Sequence, residues 1–191
     1  SGAGRAGSSR GILRSHAYRV QFAGAHSQSE ILPEKKQSLY YNYLIGNDPS
    51  AWRSRVALYG AITYKNIYPN IDVRYYSDKG QLKYDFIVHP GGRVEQIALQ
   101  YTGVDRISVN RQKELVIATS AGEVKELYPY SYQYDEQSVK KELRCRYRIE
   151  NGNTVKFDLK DYDPRFTLII DPTVVFCTFT GGANNYGFTA T

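Results

Sequence analysis

The chain has 191 residues, a mass of 21.7 kDa and a net charge of +6, which suits one domain of ordinary size. Its hydrophobic content of 41% suffices for a core and excludes a globally disordered chain, and no apolar run approaches the roughly 20 residues of a membrane span. The basic residues are scattered and no recognition helix accompanies them, so the sequence does not predict nucleic-acid binding. Eighteen tyrosines favour half-buried strands.

The amino-terminal third of the chain is predicted to hold a leader followed by separate strands. Residues 1–15 are rich in Gly and Ser, which is typical of a flexible leader or linker. The polar stretch 24–36 contains Pro33 and predicts a loop. Alternating or aromatic-rich runs predict strands at 16–22, 39–45 and 56–64.

A turn separates the second and third of these strands. Asp48 precedes Pro49, a combination that favours a single helical turn because the carboxylate accepts a backbone N–H at its start. The turn also carries Trp52, the single tryptophan of the chain. A lone tryptophan beside a turn is more often a core side chain than a ligand platform, so Trp52 is predicted to be buried.

Two alternating runs around the turn at residues 78–81 (DKGQ) predict a β-hairpin over residues 71–88. When the first and last turn residues pair, the apolar positions of both strands fall on one face of the hairpin. A shift by one residue would move them to the opposite face, so the register is well specified. The predicted cross-strand pairs are Val73 with Phe86, Tyr75 with Tyr84, and Arg74 with Asp85.

The rest of the chain is predicted to form short strands, and Asn151-Gly152 is its strongest hairpin signal. Strands are predicted at 95–101, 106–109, 115–120, 123–128, 130–134, 142–149, 154–159, 166–170 and 174–180. No segment keeps a helical period for three turns. Many short strands at this spacing predict an all-β fold, either an antiparallel β-sandwich or an open barrel, with a domain spanning residues 16–172.

Cys145 and Cys177 are the two cysteines of the chain. Each alternates with apolar neighbours in its predicted strand, which indicates two buried, reduced thiols. A disulfide between them is an open alternative, because a sequence does not show whether two residues are close in space. Two cysteines without clustered histidines do not form a zinc site.

The histidines do not indicate a catalytic site. His16, His26 and His89 are dispersed, and the chain has no metal-ligand spacing, nucleophile elbow or phosphate-binding loop. His89 precedes Pro-Gly-Gly and is the most site-like of the three, but no nucleophile or second base accompanies it. The sequence therefore predicts no catalytic, cofactor-binding or metal-binding residue, and we expect a protein that is not an enzyme.

The carboxylates leave two alternatives open. Asp48, Asp163 and Asp171 each precede a proline and are predicted to form turns through their side chains. Two carboxylates facing each other in a cleft would instead indicate a hydrolase, and only the fold can bring such a pair together. Asp161, Asp163 and Asp171 are candidate ligands for a calcium ion in an extracellular protein, although their spacing matches no known loop.

Four segments occur in an order found in one family: YYNYLIGNDPSAWRSRV (40–56), YKNIYPNIDVRYY (64–76), GQLKYDFIVHPGG (80–92) and LIIDPTVVFCTFTGG (168–182). Over residues 16–191 the chain resembles the β-rich domain of unassigned function that precedes SBBP-type β-propeller repeats in large secreted bacterial proteins. Many of those proteins come from Bacteroidota and carry a gliding-motility-associated, type IX secretion C-terminal domain. The resemblance implies that residues 173–191 lead into the first propeller repeat, and it supplies no catalytic residue.

The resemblance implies a non-catalytic structural or adhesion module that is extracellular or on the outer cell surface. Its expected partners are the remaining domains of the same polypeptide, namely the propeller repeats and the sorting domain, and also other surface proteins or glycans. A second hypothesis is a carbohydrate-binding or ancillary domain of a secreted glycan-active enzyme, which an exposed coplanar row of tyrosines would favour. A third is a hydrolase with two facing carboxylates.

Overall fold

The computed structural model describes residues 15–78 and 81–176, with the backbone alone at Gln81 and Phe176. This part of the chain is all-β, as predicted. Its three antiparallel sheets are not closed into a barrel and are consistent with a β-sandwich. Its helical content consists of two 3-10 turns, Pro49–Ala51 and Val94–Gln96. Across the described residues no helix has the length and apolarity needed to cross a membrane.

The strands of the described part are arranged in three sheets. In chain order the strands are β1 (Arg19–Phe22), β2 (Glu30–Tyr43), β3 (Arg53–Tyr68), β4 (Ile71–Asp78), β5 (Gln81–Val88), β6 (Leu99–Thr102), β7 (Arg106–Val109), β8 (Leu115–Thr119), β9 (Gly122–Glu126), β10 (Tyr130–Tyr134), β11 (Lys140–Leu143), β12 (Cys145–Glu150), β13 (Thr154–Leu159), β14 (Leu168–Asp171) and β15 (Val174–Phe176). Sheet 1 has the order β1-β6-β13-β12, sheet 2 the order β11-β10-β14-β5-β4-β3-β2, and sheet 3 the order β15-β9-β8-β7.

The predicted hairpin forms strands β4 and β5 in the middle of sheet 2, and all three predicted cross-strand pairs are confirmed. Val73 and Phe86 are fully buried on its inner face. The Phe86 ring meets Phe157 of β13 edge-on, with 5.4 Å between the ring centroids. Because β13 belongs to sheet 1, aromatic contacts of this kind hold sheets 1 and 2 face to face.

Arg74 lies beside Asp85 as predicted, but its ion pair is with another residue. Its Nη2 atom lies 3.1 Å from Oε2 of Glu34 on β2, and the Thr63 hydroxyl donates to the same carboxylate. These hydrogen bonds, that of Thr63 first and that of Arg74 second, lower the pKa of Glu34. The carboxylate therefore connects the edge strand β2 to β4 across the intervening strand β3.

The hairpin of β2 and β3 is longer than predicted. Strand β2 begins at Glu30, so the prediction of a loop over residues 24–36 is wrong for its second half. Pro33 lies within this strand and pairs with Ile62 of β3. A proline is tolerated there because β2 is the edge of sheet 2, where one side of the strand needs no ladder hydrogen bond.

Two later predictions are wrong in detail, and one is confirmed. Residues 95–101 do not form one strand, because a 3-10 turn precedes β6. The predicted strand 142–149 divides at Arg144, where β11 of sheet 2 ends and β12 of sheet 1 begins. The chain thus changes sheets at this corner. The predicted turn at Asn151-Gly152 joins β12 to β13, and both residues have positive φ, 51° and 76°.

The carboxyl-terminal predictions are only partly covered by the described residues. Cys145 is a buried, free thiol, and burial raises its pKa to about 12. Cys177 lies outside the described residues, so its reduced state remains a prediction. Strand β15, which begins just after the predicted end of the domain at residue 172, pairs with β9 and so belongs to sheet 3. The remainder of the predicted passage, residues 177–191, lies outside the described part.

Candidate functional site

The most exposed part of the fold is a two-stranded arm, defined as residues 36–59 at the distal end of the β2–β3 hairpin. Its two strands pair with each other from Lys36 and Tyr59 to Tyr43 and Arg53, whereas the pairing of β3 with β4 begins at Ala61. At the usual rise per residue the arm extends about 25 Å beyond the rest of the sheet. A two-stranded hairpin of this kind is marginally stable in water by itself.

Large apolar side chains cover the arm. It carries eight of the sixteen exposed large hydrophobic side chains among the described residues: Leu39, Tyr40, Tyr41, Tyr43, Leu44, Ile45, Trp52 and Tyr59. Leu39 and Ile45 are 72% and 76% exposed. The prediction that Trp52 is buried is wrong, because it lies on the arm and its indole N–H donates to the carbonyl of Gly46 at 3.2 Å.

Hydrogen bonds within the turn shape the tip of the arm. Asp48 caps the 3-10 turn, as predicted, and accepts the backbone N–H of Ser50 at 2.9 Å. The hydrogen bonds from Ser50 lower the pKa of Asp48, so the carboxylate is charged at neutral pH. The Arg53 guanidinium donates to the carbonyls of Ser50 and Trp52, each at 2.9 Å. The arm therefore presents its apolar side chains on an ordered tip.

A second candidate site lies on the outer face of sheet 2, where two carboxylates are neighbours. The register between β5 and β14 pairs Ile170 with Phe86, and its continuation by one residue brings Asp171 beside Asp85, whose pKa the charge of Asp171 raises. The hydroxyl of Tyr76 donates to Asp85 at 3.2 Å, and the ammonium of Lys83 lies 3.6 Å from Oδ2 of Asp171. Asp171 Oδ1 is buried and has no hydrogen-bond partner among the described residues. Asp171 thus ends a strand and pairs with a lysine, and the prediction that it forms a side-chain turn is wrong.

The pKa values of both neighbouring carboxyl groups, Asp85 and Asp171, are raised, which favours their protonated forms. Burial, and after it the charge of Asp171, raise the pKa of Asp85 to about 6, and burial also raises the pKa of Asp171. Glycoside hydrolysis uses two carboxyl groups, of which one has a raised pKa and acts as the general acid while the other stays ionised. The pair is therefore the feature that keeps the hydrolase hypothesis open.

The tyrosines beside this pair do not form the coplanar row that a sugar platform requires. Tyr130, Tyr132 and Tyr134 lie on β10, and their neighbouring rings are inclined by 40° and 86°. The ammonium of Lys140 lies 4.8 Å from the centroid of the first ring and 4.0 Å from that of the second. The side chain of Lys140 therefore covers the rings of Tyr130 and Tyr132, two of the three tyrosines.

We expect Asp85→Asn to make the chain more stable above pH 6. Between the unfolded pKa near 4 and the folded pKa of about 6, the folded state binds more protons than the unfolded state, so wild-type stability falls as pH rises. The substitution removes this loss, which we put at about 1–2 kcal/mol after allowing for partial exposure. Urea unfolding from pH 4 to 8 measures it. The exposed strand variant Asp158→Asn should keep the wild-type slope, and an unchanged slope in Asp85→Asn would contradict the prediction.

His89 is not an isolated turn histidine, because its ring Nε2 lies 2.8 Å from Oδ2 of Asp72. Asp72 is 2% exposed, forms an ion pair with Lys65, and accepts the backbone N–H of Asn66 at 2.8 Å. Burial acts to raise the pKa of Asp72, but the hydrogen bonds from His89, Lys65 and Asn66 together lower it. Among the described residues no hydroxyl or thiol forms a hydrogen bond with the ring, so the cluster does not form a nucleophile–base pair.

A buried carboxyl, Glu126, lies where the three sheets meet. Glu126 belongs to β9 of sheet 3, and its two oxygens accept the hydroxyls of Tyr84 from sheet 2 and Tyr101 from sheet 1, each at 2.8 Å. Burial raises the pKa of Glu126 against the opposing effect of these hydrogen bonds. This enclosed cluster joins the sheets and does not face solvent, so its role is structural.

The other histidines have separate partners. His16 contacts the hydroxyl of Ser120 and the carbonyl of Gly103 through its two ring nitrogens. The Nδ1 atom of His26 lies 2.8 Å from the carbonyl oxygen of Asn66. The His16 ring therefore joins loops to one another, the His26 ring joins a loop to β3, and the two rings do not converge on a common site.

The calcium hypothesis finds no support among the described residues, which contain no group of three or more His, Cys, Asp or Glu arranged to hold a metal ion. Asp163 forms the predicted turn, with the backbone N–H of Arg165 at 3.0 Å, and also pairs with the Arg165 guanidinium at 2.8 Å. Asp171 pairs with Lys83. Two of the three candidate calcium ligands, Asp163 and Asp171, therefore form ion pairs with two different basic side chains.

Sequence reasoning missed the two buried carboxylates. Glu126 alternates with Val124, which packs against the core, so strand parity alone puts its side chain on the inner face. Asp72 has the parity of the outer face, and nothing in the sequence shows that Lys65 and His89 cover it. The burial of Glu126 could therefore have been predicted from its strand pattern, whereas the burial of Asp72 could be seen only in the folded structure.

The geometry defines an all-β, sandwich-like domain with a projecting apolar arm. The family described as "Domain of unknown function (DUF7948)" matches residues 2–173. Because this match covers most of the chain, the protein belongs to the DUF7948 family. The comparisons with curated proteins and with solved structures found no match.

Proposed function

We propose that this chain is a non-catalytic interaction module, a structural or adhesion element of a larger secreted or cell-surface bacterial protein, which docks on protein surfaces through its arm. The observation that carries the proposal is the concentration of exposed aromatic and aliphatic side chains on residues 36–59. Exposed apolar patches of this kind mark interaction sites, because leaving them in water is unfavourable.

The position of the module in a longer polypeptide rests on the resemblance of residues 16–191 to domains that precede SBBP-type propellers in type IX secreted proteins. In such a polypeptide the neighbouring propeller repeats supply the nearest protein surface for the arm. A second hairpin strand or an apolar groove would cover the exposed tyrosines and give the marginal two-stranded arm the third element that stability requires.

A carbohydrate-binding module is the second candidate. One observation favours it: three tyrosines and the carboxylates Asp85 and Asp171 share the outer face of sheet 2, and carboxylates accept sugar hydroxyls. The inclined rings and the lysine over two of them leave no flat stacking surface. The arm therefore supports protein docking better than the outer face supports glycan binding.

The test of the proposal compares the isolated chain with the full-length gene product. We expect the backbone amides of residues 37–52 to exchange more slowly in the longer protein, because docking covers the arm. The backbone amides of β8, in sheet 3, should exchange at the same rate in the isolated chain and in the full-length protein. Equal exchange of the arm in both proteins would contradict docking within the polypeptide.

Paired substitutions separate docking from stability. Leu44→Ser with Ile45→Ser should change the free energy of unfolding of the isolated chain by less than about 0.5 kcal/mol, because both side chains are exposed. In the full-length protein the same variant should lose the slow exchange of the arm, whereas the exposed control Val139→Ser should keep it. Glycan turnover that Asp85→Asn or Asp171→Asn abolishes would replace the proposal with the hydrolase hypothesis.

A further inference from the structure

Three ionisable side chains lie together on the outer face of sheet 2, where β14 pairs with β5. The Lys83 ammonium lies 3.6 Å from Oδ2 of Asp171, and Asp85 lies beside Asp171 in the continued register of the two strands. A backbone bridge between Lys83 and Thr173 continues the same register, so Lys83 and Asp171 occupy diagonal positions on one face. Diagonal neighbours are about 7–8 Å apart, a distance that a lysine and an aspartate side chain joined end to end can span.

This group of side chains is largely removed from water. The side chains of Lys83 and Asp171 are each 20% exposed, and Oδ1 of Asp171 is buried without a hydrogen-bond partner among the described residues. Burial raises the pKa of Asp171, and burial followed by the charge of Asp171 raises the pKa of Asp85 to about 6. Two buried charges are costly, so transfer of the Lys83 proton to Asp171 is less unfavourable here than in water.

We propose that Lys83 and Asp171 form an amide bond with each other, which joins β5 to β14 covalently. The Lys83 ammonium first gives a proton to the Asp171 carboxylate, which leaves an amine beside a carboxylic acid. The nitrogen then attacks Cγ of Asp171. Asp85 gives its proton to the departing hydroxyl group and takes one from the nitrogen, so one water molecule leaves and Asp85 is regenerated.

The bond goes beyond the proposed docking function and does not make the chain an enzyme. The reaction consumes only two side chains of the same molecule, and it occurs once. Condensation is unfavourable between separate molecules in water, but the strand register holds the amine and the carboxyl group together, which greatly raises their effective concentration. The product is an uncharged amide, which removes both charges of the buried ion pair.

A second buried ion pair, between Lys65 and Asp72, lacks the features that favour this reaction. Although burial acts to raise the pKa of Asp72, hydrogen bonds from His89, Lys65 and the backbone of Asn66 lower it. Asp72 therefore stays a carboxylate ion, which an amine does not attack readily. This pair is an internal control for the chemistry of the first.

The mass of the intact 191-residue chain tests the bond. After incubation of the folded protein near pH 6, where Asp85 is about half protonated, we expect a mass lower than that of the sequence by one water molecule. A digest should contain a branched peptide that joins Lys83 to Asp171, whereas Lys65 and Asp72 should remain unlinked. Protein kept unfolded in urea should retain its full mass, because only the fold brings the two side chains together.

Three variants test the roles of the side chains, and thermal unfolding verifies that each is folded. Lys83→Arg should keep its full sequence mass, because the guanidinium stays charged and does not act as a nucleophile. Asp85→Asn should slow bond formation about a hundredfold or more, because the proton carrier is lost. Asp158→Asn, at an exposed strand position, should form the bond at the wild-type rate. The stability gain expected for Asp85→Asn is then measured in the Lys83→Arg background, where no bond forms.

A folded wild-type chain that keeps its full mass, or a loss of water that maps to another pair of residues, overturns the inference. Bond formation in Asp85→Asn at the wild-type rate overturns the role of Asp85 as the proton carrier. None of these measurements involves the arm, so bond formation and the proposed docking function can fail separately.

Discussion

Replacing Glu126 with Ala is expected to lower the free energy of unfolding by about 3–5 kcal/mol. The Glu126 carboxyl accepts one buried tyrosine hydroxyl from each of two other sheets, and its removal leaves both hydroxyls without a partner at about 1–3 kcal/mol each. The cavity left by the side chain adds to the loss. Because the residue is 5% exposed, water has little access with which to replace the lost hydrogen bonds.

Denaturant unfolding measures this effect, and Glu123→Ala on the same strand is the control because Glu123 is exposed. Tyr84→Phe and Tyr101→Phe should each cost about 1 kcal/mol in the wild type. Each should cost less in the Glu126→Ala background, because the acceptor is already absent. A loss below about 1 kcal/mol for Glu126→Ala would show that the carboxyl does not hold the three sheets together.

Strand pattern and turn chemistry predicted the parts of the fold that local sequence determines. The register of β4 and β5 followed from alternation around a four-residue turn, since a slip of one residue exposes Val73 and Phe86. The turn at Asn151-Gly152 followed from residues that tolerate positive φ. In both cases the determining interactions lie between residues close in the chain.

Long-range contacts account for the errors in the fold. The stretch 24–36 looks like a loop because it is polar and contains Pro33, yet the pairing with β3 makes most of its second half an edge strand. Trp52 looks like a core residue because tryptophan is usually buried, yet it lies on the arm and is 38% exposed. Whether an apolar side chain is covered depends on which strands lie next to it, and that is a property of the whole topology.

The candidate sites were less predictable than the fold. The neighbouring positions of Asp85 and Asp171 depend on β14 pairing with β5, 86 residues earlier in the chain. The sequence showed that the arm contains an aromatic-rich segment, but it did not show that these side chains are exposed to solvent. Side chains that interact through sheet order leave no local pattern, so only the assembled fold reveals them.

Asp72→Ala is expected to lower the free energy of unfolding by about 2–4 kcal/mol at pH 7. The carboxylate accepts hydrogen bonds from Lys65, His89 and the backbone of Asn66, and breaking a buried ion pair by removing one partner costs about 3–5 kcal/mol. We expect a smaller loss for Asp72→Ala than for a fully buried ion pair, because the side chains of Lys65 and His89 are 33% and 37% exposed and remain partly hydrated. Asn66 has a positive φ of 50°, so the loss should also release the irregular backbone between β3 and β4.

The pH dependence of this loss distinguishes the charge from packing. The folded pKa of Asp72 is lowered, so its contribution is fully present above the unfolded pKa near 4 and is lost as pH falls through the folded pKa. The difference between wild type and Asp72→Ala should therefore shrink on acidification from pH 7 to below the folded pKa, whereas Asp158→Ala, at an exposed strand position, should stay close to wild type throughout. Hydrogen exchange at pH 7 should show faster exchange of the Asn66 amide in Asp72→Ala alone. A loss that is independent of pH would mean that Asp72 stabilises the fold through its shape, and that the ion pair with Lys65 and the hydrogen bond with His89 contribute nothing measurable.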